Sequence, residues 1–90
     1  MKNWSELMAS VEVLQSKKLI LKGDNKDIYG RVCFTLRDQE AYVDFYPDSP
    51  GKTRELCRIN FTTLKESTEL AVKNIFSYIN HGILKFTDEN

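Results

Sequence analysis

The sequence has few of the residue types from which most active sites are built. Its 90 residues include one histidine, His81, and two cysteines, Cys33 and Cys57. A structural zinc site usually takes four ligands, so these side chains alone cannot form one. No phosphate-binding loop, nucleophile elbow or H-E-x-x-H zinc motif occurs. We therefore expect no catalytic residue, no metal and no cofactor, and hence a protein that is not an enzyme.

The chain also lacks long apolar runs and an excess of charge of either sign. No apolar run approaches the roughly 18 residues of a membrane-spanning helix. The opening segment MKNWSELMAS has no apolar core of a secretory signal, and the cysteines show no C-x-x-C spacing. These absences predict a cytoplasmic protein with no membrane partner. Because 13 basic residues balance 13 acidic ones, binding to nucleic acid would need a local basic patch.

What the chain does contain is typical of one small globular domain. Hydrophobic residues make up 41% and charged residues 29% of the sequence, which is too apolar for intrinsic disorder. Ninety residues are enough for a single modest core. We expect one domain over residues 1–86, followed by a short polar tail, 87–90, that is disordered.

An amphipathic helix is predicted near the beginning of the chain. Its apolar residues recur at the spacing of one helical face; they are Trp4, Leu7, Met8, Val11 and Leu14. Asn3 is placed to cap this helix, with Glu6 completing a capping box. The spacing assigns Trp4 to the core. An alternative ends the helix near Ser10 and makes Val11–Gln15 a strand.

A second helix is predicted after the capping box Thr63–Glu66. It has an apolar stripe of its own, formed by Ala71, Val72, Ile75, Phe76 and Ile79. The helix is expected to end at His81, with Gly82 in the left-handed conformation. We assign His81 to the helix end, where its ring can interact with terminal carbonyls. The segment after it, Ile83–Phe86, is open to three interpretations: a strand, a docked tail or a binding segment.

Between the helices, period-2 alternation predicts four strands. They lie at KKLILK, at Ile28–Arg37, at AYVDFY and at Glu55–Phe61. On the last of these strands, Cys57, Ile59 and Phe61 are expected to face the core. The predicted fold is a two-layer α+β domain of order α-β-β-β-β-α, in which both helices cover one face of an antiparallel sheet.

The register of the strands can be predicted from the requirement that paired residues share a face. Asp38-Gln39 is a poor two-residue turn because it lacks the usual Gly or Asn. A longer loop would place Phe34 opposite Phe45 and Arg37 opposite Tyr42. Centring the following loop near Pro50 or Gly51 separately places Asp44 opposite Arg58, where the two would form an ion pair.

The uncovered sheet face is the predicted binding site. Tyrosine and arginine are enriched in the hot spots of protein interfaces. The candidate partner-binding residues are Tyr29, Arg31, Arg37, Tyr42, Asp44, Tyr46, Leu56 and Arg58. They favour a small protein-binding module of the inhibitor, immunity or anti-defence type. Its partner would be another protein or a second copy of the chain.

An RNA- or DNA-binding module using the same face is the alternative. The predicted face carries three arginines against one aspartate, which makes it mildly basic. The start of the second helix, TTLKESTEL, has one lysine and two glutamates, which disfavours a phosphate grip there. Cys33 is predicted to lie on the same face between Arg31 and Thr35. Without a histidine base beside it, we interpret Cys33 as incidental rather than catalytic.

Overall fold

The computed structural model describes residues 3–87, which form two helices and a five-stranded antiparallel sheet. In chain order the elements are α1 (Trp4–Ser16), β1 (Leu19–Leu21), β2 (Ile28–Arg37), β3 (Glu40–Pro47), β4 (Arg54–Asn60), α2 (Leu64–Asn80) and β5 (Leu84–Phe86). The strands lie in the order β4-β3-β2-β1-β5. The predicted α+β layout is therefore confirmed, with one strand more than the four expected.

The additional strand resolves the question of the segment after α2. Leu84, Lys85 and Phe86 pair antiparallel with β1, and the Leu84 side chain is fully buried. The backbone N–H of Thr87 donates to the Lys18 carbonyl at 3.2 Å, which extends this pairing by one hydrogen bond. Ile83–Phe86 is thus neither a docked tail nor a free binding segment. Of the tail predicted to be disordered, residues 88–90 lie outside the described residues.

The first helix is continuous through Val11–Gln15, so the strand alternative for that segment is wrong. The capping box is present as predicted: the Asn3 Oδ1 atom accepts from the Glu6 N–H at 2.9 Å, and Glu6 Oε1 accepts from the Asn3 N–H at 3.2 Å. The prediction that Trp4 belongs to the core is wrong. Trp4 is 43% exposed, because it stands in the first turn at the free end of the apolar stripe.

The predicted N-cap and C-terminal glycine of α2 are confirmed, but the capping box is replaced by a side-chain contact in which the Thr63 hydroxyl donates to Glu66 Oε1 at 3.1 Å. At its beginning, the Thr63 hydroxyl accepts from the Glu66 N–H at 3.1 Å. At its end, Gly82 has φ +77°, and the N–H of Ile83 donates to the Tyr78 carbonyl at 2.9 Å, as in a Schellman motif. The His81 Nδ1 atom lies 2.8 Å from the Ser77 carbonyl oxygen. His81 therefore takes the predicted structural place at the helix end.

A single core lies between the helices and one face of the sheet. It combines buried residues of both helices with the inward residues of the strands, among them Val32, Phe34, Val43 and Phe45. Phe61 was predicted to join them, but it is 53% exposed. It follows the last residue of β4, where alternation no longer determines which way a side chain points.

The β2–β3 hairpin is tighter than predicted. Asp38-Gln39 forms the two-residue turn, with Asp38 at φ +56°, because aspartate tolerates the left-handed region better than most residues. Phe34 therefore lies opposite Val43 rather than Phe45, and Arg37 lies opposite Glu40 rather than Tyr42. The register shift is two residues, which leaves every side chain of the hairpin on its predicted face.

The β3–β4 pairing also differs from the prediction. Tyr42 lies opposite Arg58, and a bulge between Val43 and Asp44 then places Asp44 opposite Glu55. The predicted pairing of Asp44 with Arg58 is therefore wrong. A bulge adds one residue to a strand and interrupts its alternation, so a register predicted from regular alternation does not include it.

Candidate binding face

The outer face, which we define as the side of the sheet away from both helices, carries seven of the eight predicted partner-binding residues. These are Tyr29, Arg31 and Arg37 on β2, Tyr42, Asp44 and Tyr46 on β3, and Arg58 on β4. Pairing brings them into cross-strand rows, such as Arg31 beside Tyr46 and Tyr42 beside Arg58. The alternation of the strands alone was sufficient to predict which of these residues share the face.

Leu56 is the exception and is a correction to the predicted site. It is the extra residue of the β-bulge, and its side chain packs against the core. Its carbonyl accepts a hydrogen bond from the Tyr78 hydroxyl at 2.9 Å. Leu56 therefore joins β4 to α2 instead of contributing to the outer face.

Arg58 is the centre of the most ordered cluster on the outer face. Its Nη1 atom lies 2.8 Å from Glu40 Oε1, and its Nη2 atom lies 2.6 Å from Glu55 Oε1. Its Cζ atom stands 4.2 Å from the centroid of the Tyr42 ring. The hydrogen bond with Glu55 is the main reason that the pKa of Arg58 is raised. The four side chains thus hold one another in place across β3 and β4.

Arg31, which lies beside Tyr46 on the outer face, also contacts the end of α1. Its Nη1 atom donates to the Ser16 carbonyl at 2.8 Å, at the last residue of α1. The last turn of α1 has no basic residue of its own, so Arg31 supplies the positive charge that favours a helix C-terminus. This predicted contact residue is therefore partly committed to holding α1 against β2.

Tyr29 and Tyr46 are the exposed aromatic side chains of the outer face. They are 47% and 49% exposed, respectively. Tyr46 lies opposite Arg31, and Tyr29 stands two residues before Arg31, so the two tyrosines are diagonal neighbours across β2 and β3. Together they form a tyrosine pair, the name used below for these two residues, at one end of the face.

The outer face carries more acidic side chains than the sequence predicted, which leaves it only slightly basic. The register adds Glu40 opposite Arg37 and Glu55 opposite Asp44. Lys85 of β5 lies opposite Ile20 and so shares the face of Tyr29, which gives the outer face four basic and three acidic side chains. The sequence prediction missed both glutamates because it began β3 too late and did not include the bulge. Accepting Asp38 in the left-handed conformation would have placed Glu40 correctly.

The two cysteines occupy different environments. Cys33 is exposed on the outer face, while Cys57 is half-buried and packs against the core. Burial is the main reason that the pKa of the Cys57 thiol is raised above its ordinary value. Within residues 3–87, no group of three or more His, Cys, Asp or Glu side chains could hold a metal ion.

Comparisons with protein-family models, with curated proteins and with solved structures find no match for this chain. In the same range of residues, 3–87, neither helix is long and apolar enough to cross a membrane. The inference of a function therefore starts from the side chains of the surface itself.

Proposed function

We propose that this protein is a small cytoplasmic, non-enzymatic module that binds another protein through its outer face. It would act by covering part of its partner, as inhibitors, immunity proteins and anti-defence proteins do. The tyrosine pair is the observation that carries the proposal: Tyr29 and Tyr46 stand together, each about half exposed, on a sheet face that neither helix covers. Tyrosine buries a large area on binding and still offers a hydroxyl for hydrogen bonding.

The contacts that already fix several side chains of the outer face support the same proposal. Arg58, Tyr42 and the two glutamates are already held by ion pairs and ring contact in the isolated chain. Side chains that are fixed before binding lose less conformational entropy when a partner arrives. We assign the contact role to the tyrosine pair and Arg37, and the supporting role to the Arg58 cluster and Arg31.

The small excess of positive charge on the outer face, four basic against three acidic side chains, favours a protein partner over a nucleic acid. Binding to a phosphate backbone depends on lysines and arginines whose charge is not neutralised by nearby acids. On the outer face, Arg58 is paired with two carboxylates and Arg31 contacts a helix end. The nucleic-acid alternative would gain support if the protein were retained on a nucleic-acid column at low salt and lost that retention on Arg37→Ala substitution.

Comparative capture tests the proposal. Immobilised wild-type protein, Tyr46→Ser and Phe76→Ser would each be incubated with lysate from native cells, and bound proteins quantified. Phe76 is a matched control, because it is an exposed aromatic residue of α2, 38% accessible, on the opposite side of the molecule. We expect a partner captured equally by wild type and Phe76→Ser to fall about tenfold or more with Tyr46→Ser, as for an interface hot spot.

Two outcomes would contradict the proposal, one from the capture experiment and one from sedimentation. If every protein enriched by the wild type is enriched to the same extent by Tyr46→Ser, the outer face is not the binding surface. Sedimentation velocity over a range of concentrations covers the case in which the partner is a second copy of the chain. Self-association that persists in Tyr46→Ser would likewise argue against this face.

A further inference from the structure

A cleft at one end of the sheet shares Tyr29 with the outer face but is otherwise lined by residues that do not belong to that face. Its volume is about 470 Å³, within the range of small-molecule sites. It lies between the β1–β2 loop (22–27) and the β3–β4 loop (48–53). The residues that matter for the inference are Lys26, Asp27, Tyr29, Pro47, Pro50, Lys52 and Arg54.

The cleft concentrates positive charge. Among the described residues, the side chains of Lys26, Lys52 and Arg54 form no ion pair. Asp27 is the one acidic residue of the lining, and its Oδ2 atom lies 3.2 Å from the Lys22 Nζ atom. Three cations and one carboxylate leave the lining with a formal charge of +2 on a chain whose net charge is zero.

Both loops are anchored to the end of the sheet. In the first, the Lys22 N–H donates to the Ile83 carbonyl at 2.9 Å, and a Cβ on Gly23 would collide with the Lys26 carbonyl, so the tight approach within the loop requires glycine. In the second, the Asp48 N–H donates to the Tyr29 carbonyl at 2.8 Å, and the Asp48 carboxylate lies 2.5 Å from the Lys18 ammonium. Lys26 and Lys52 therefore project from loops whose ends are fixed, and Arg54 is the first residue of β4, which favours a site formed before the ligand arrives.

We propose that this cleft binds a small phosphate monoester that has an aromatic or other apolar organic group. A phosphate monoester carries a charge of about −1.5 to −2 at neutral pH, which matches the lining better than a single carboxylate would. Arg54 offers a planar guanidinium suited to bidentate contact with phosphate oxygens, and Lys26 and Lys52 add point charges. Tyr29, Pro47 and Pro50 give the organic group apolar surface to pack against. The proposal does not depend on the binding role of the outer face.

Titration with phenyl phosphate, followed by two-dimensional amide NMR, tests the proposal. We expect chemical-shift changes confined to the two loops and the adjoining strand ends. The dissociation constant should rise about tenfold or more in Lys52→Ala/Arg54→Ala, since two charge-assisted contacts are removed. Lys26→Ala, on the other loop, should weaken binding independently. Lys73→Ala, an exposed cation of α2, is the matched control and should bind as the wild type does.

Two parallel titrations define the ligand class. Phenol should leave the loop signals unchanged at the same concentration, and inorganic phosphate should bind several-fold more weakly than phenyl phosphate. The proposal is overturned if millimolar phenyl phosphate causes no loop shifts, or if the lysine and arginine variants bind it as tightly as the wild type. Equal affinity for inorganic phosphate would overturn the assignment of an organic monoester.

Discussion

The guanidinium carbon of Arg58 lies 4.2 Å from the centroid of the Tyr42 ring, on the neighbouring strand. The same guanidinium reaches Glu40 on β3 and Glu55 on β4. One side chain thus connects the exposed side of two strands at the point just before their bulge. This relationship assigns Arg58 to the scaffold of the outer face and leaves direct contact to its neighbours.

Replacing Arg58 tests its role as scaffold. Arg58→Lys keeps the positive charge but loses the forked hydrogen bonds and the flat contact with the Tyr42 ring. We expect the urea midpoint of unfolding to fall modestly at low salt. The difference in urea midpoint between the wild type and Arg58→Lys should be smaller in molar salt, because salt screens exposed ion pairs. Arg37→Lys, on the same face without an ion pair among the described residues, is the control. Identical midpoints for the two variants would contradict the assignment.

Gly30 is required by the packing beneath the sheet. A Cβ at this position would lie 2.8 Å from the Phe45 ring and would collide with the Tyr46 carbonyl. We therefore expect Gly30→Ala to destabilise the fold by about 1–3 kcal/mol, the usual cost of overpacking a core. Gly51→Ala is a matched control, since the nearest atom would be 3.8 Å away. Urea unfolding of both variants measures the difference, and an unchanged Gly30→Ala midpoint would refute the close approach.

Ser67 links two turns that shape the far end of the sheet. Its fully buried hydroxyl accepts from the Phe61 N–H at 2.8 Å and donates to the Gln39 carbonyl. Two part-buried hydrogen bonds to the backbone are lost with this hydroxyl, so at about 0.5–1.5 kcal/mol each Ser67→Ala should lower the free energy of unfolding by about 1–3 kcal/mol. Ser5→Ala, at an exposed position of α1, should change it little. A Ser67→Ala variant as stable as the wild type would contradict this account.

The two thiols should react at different rates. Because burial raises the pKa of Cys57, its thiolate is scarcer in the folded protein than in the unfolded chain. At pH 8, a thiol reagent should modify exposed Cys33 first and Cys57 slowly, and Cys33→Ser should remove the fast phase. The raised pKa of Cys57 also makes the free energy of unfolding depend on pH. The contribution of this thiol is fully present below the pKa of about 8.5 of an unfolded cysteine, and it is lost as the pH rises through the higher pKa of Cys57 in the folded protein. Equal rates for both thiols would contradict the burial of Cys57.

Local signals explain why so much of the fold could be predicted. The caps at Asn3 and Thr63, and the left-handed Gly82, involve residues within one turn of each other. The alternation of β2 separates inward from outward side chains whatever strand lies beside it. For this reason the outer face was predicted correctly in most of its members, even though its strands pair in a different register.

Two of the failures have a physical origin in non-local choices, because the bulge beside Asp44 and the pairing of β5 with β1 depend on how separate segments fit together. The Asp38 turn is a local failure, since a left-handed aspartate was not expected there. In the β3–β4 pairing, Arg58 lies opposite Tyr42 rather than Asp44 and contacts Glu40 and Glu55, which changes the charge of the face. Sequence patterns of period 2 carry no information on such shifts, because every even shift preserves the faces.

Cys33 gives the most direct test of the claim that the outer face binds a protein. It is an exposed thiol on β2, across from Asp44 and at the middle of the face. A photo-crosslinking maleimide attached there would be compared with the same label at Phe76→Cys in a Cys33→Ser background. We predict that a partner protein is crosslinked by the label at Cys33 and not by the label at Phe76→Cys. Excess unlabelled wild type should suppress this crosslink, whereas excess unlabelled Tyr46→Ser should not. Crosslinks formed equally from α2, or only from α2, would contradict the account.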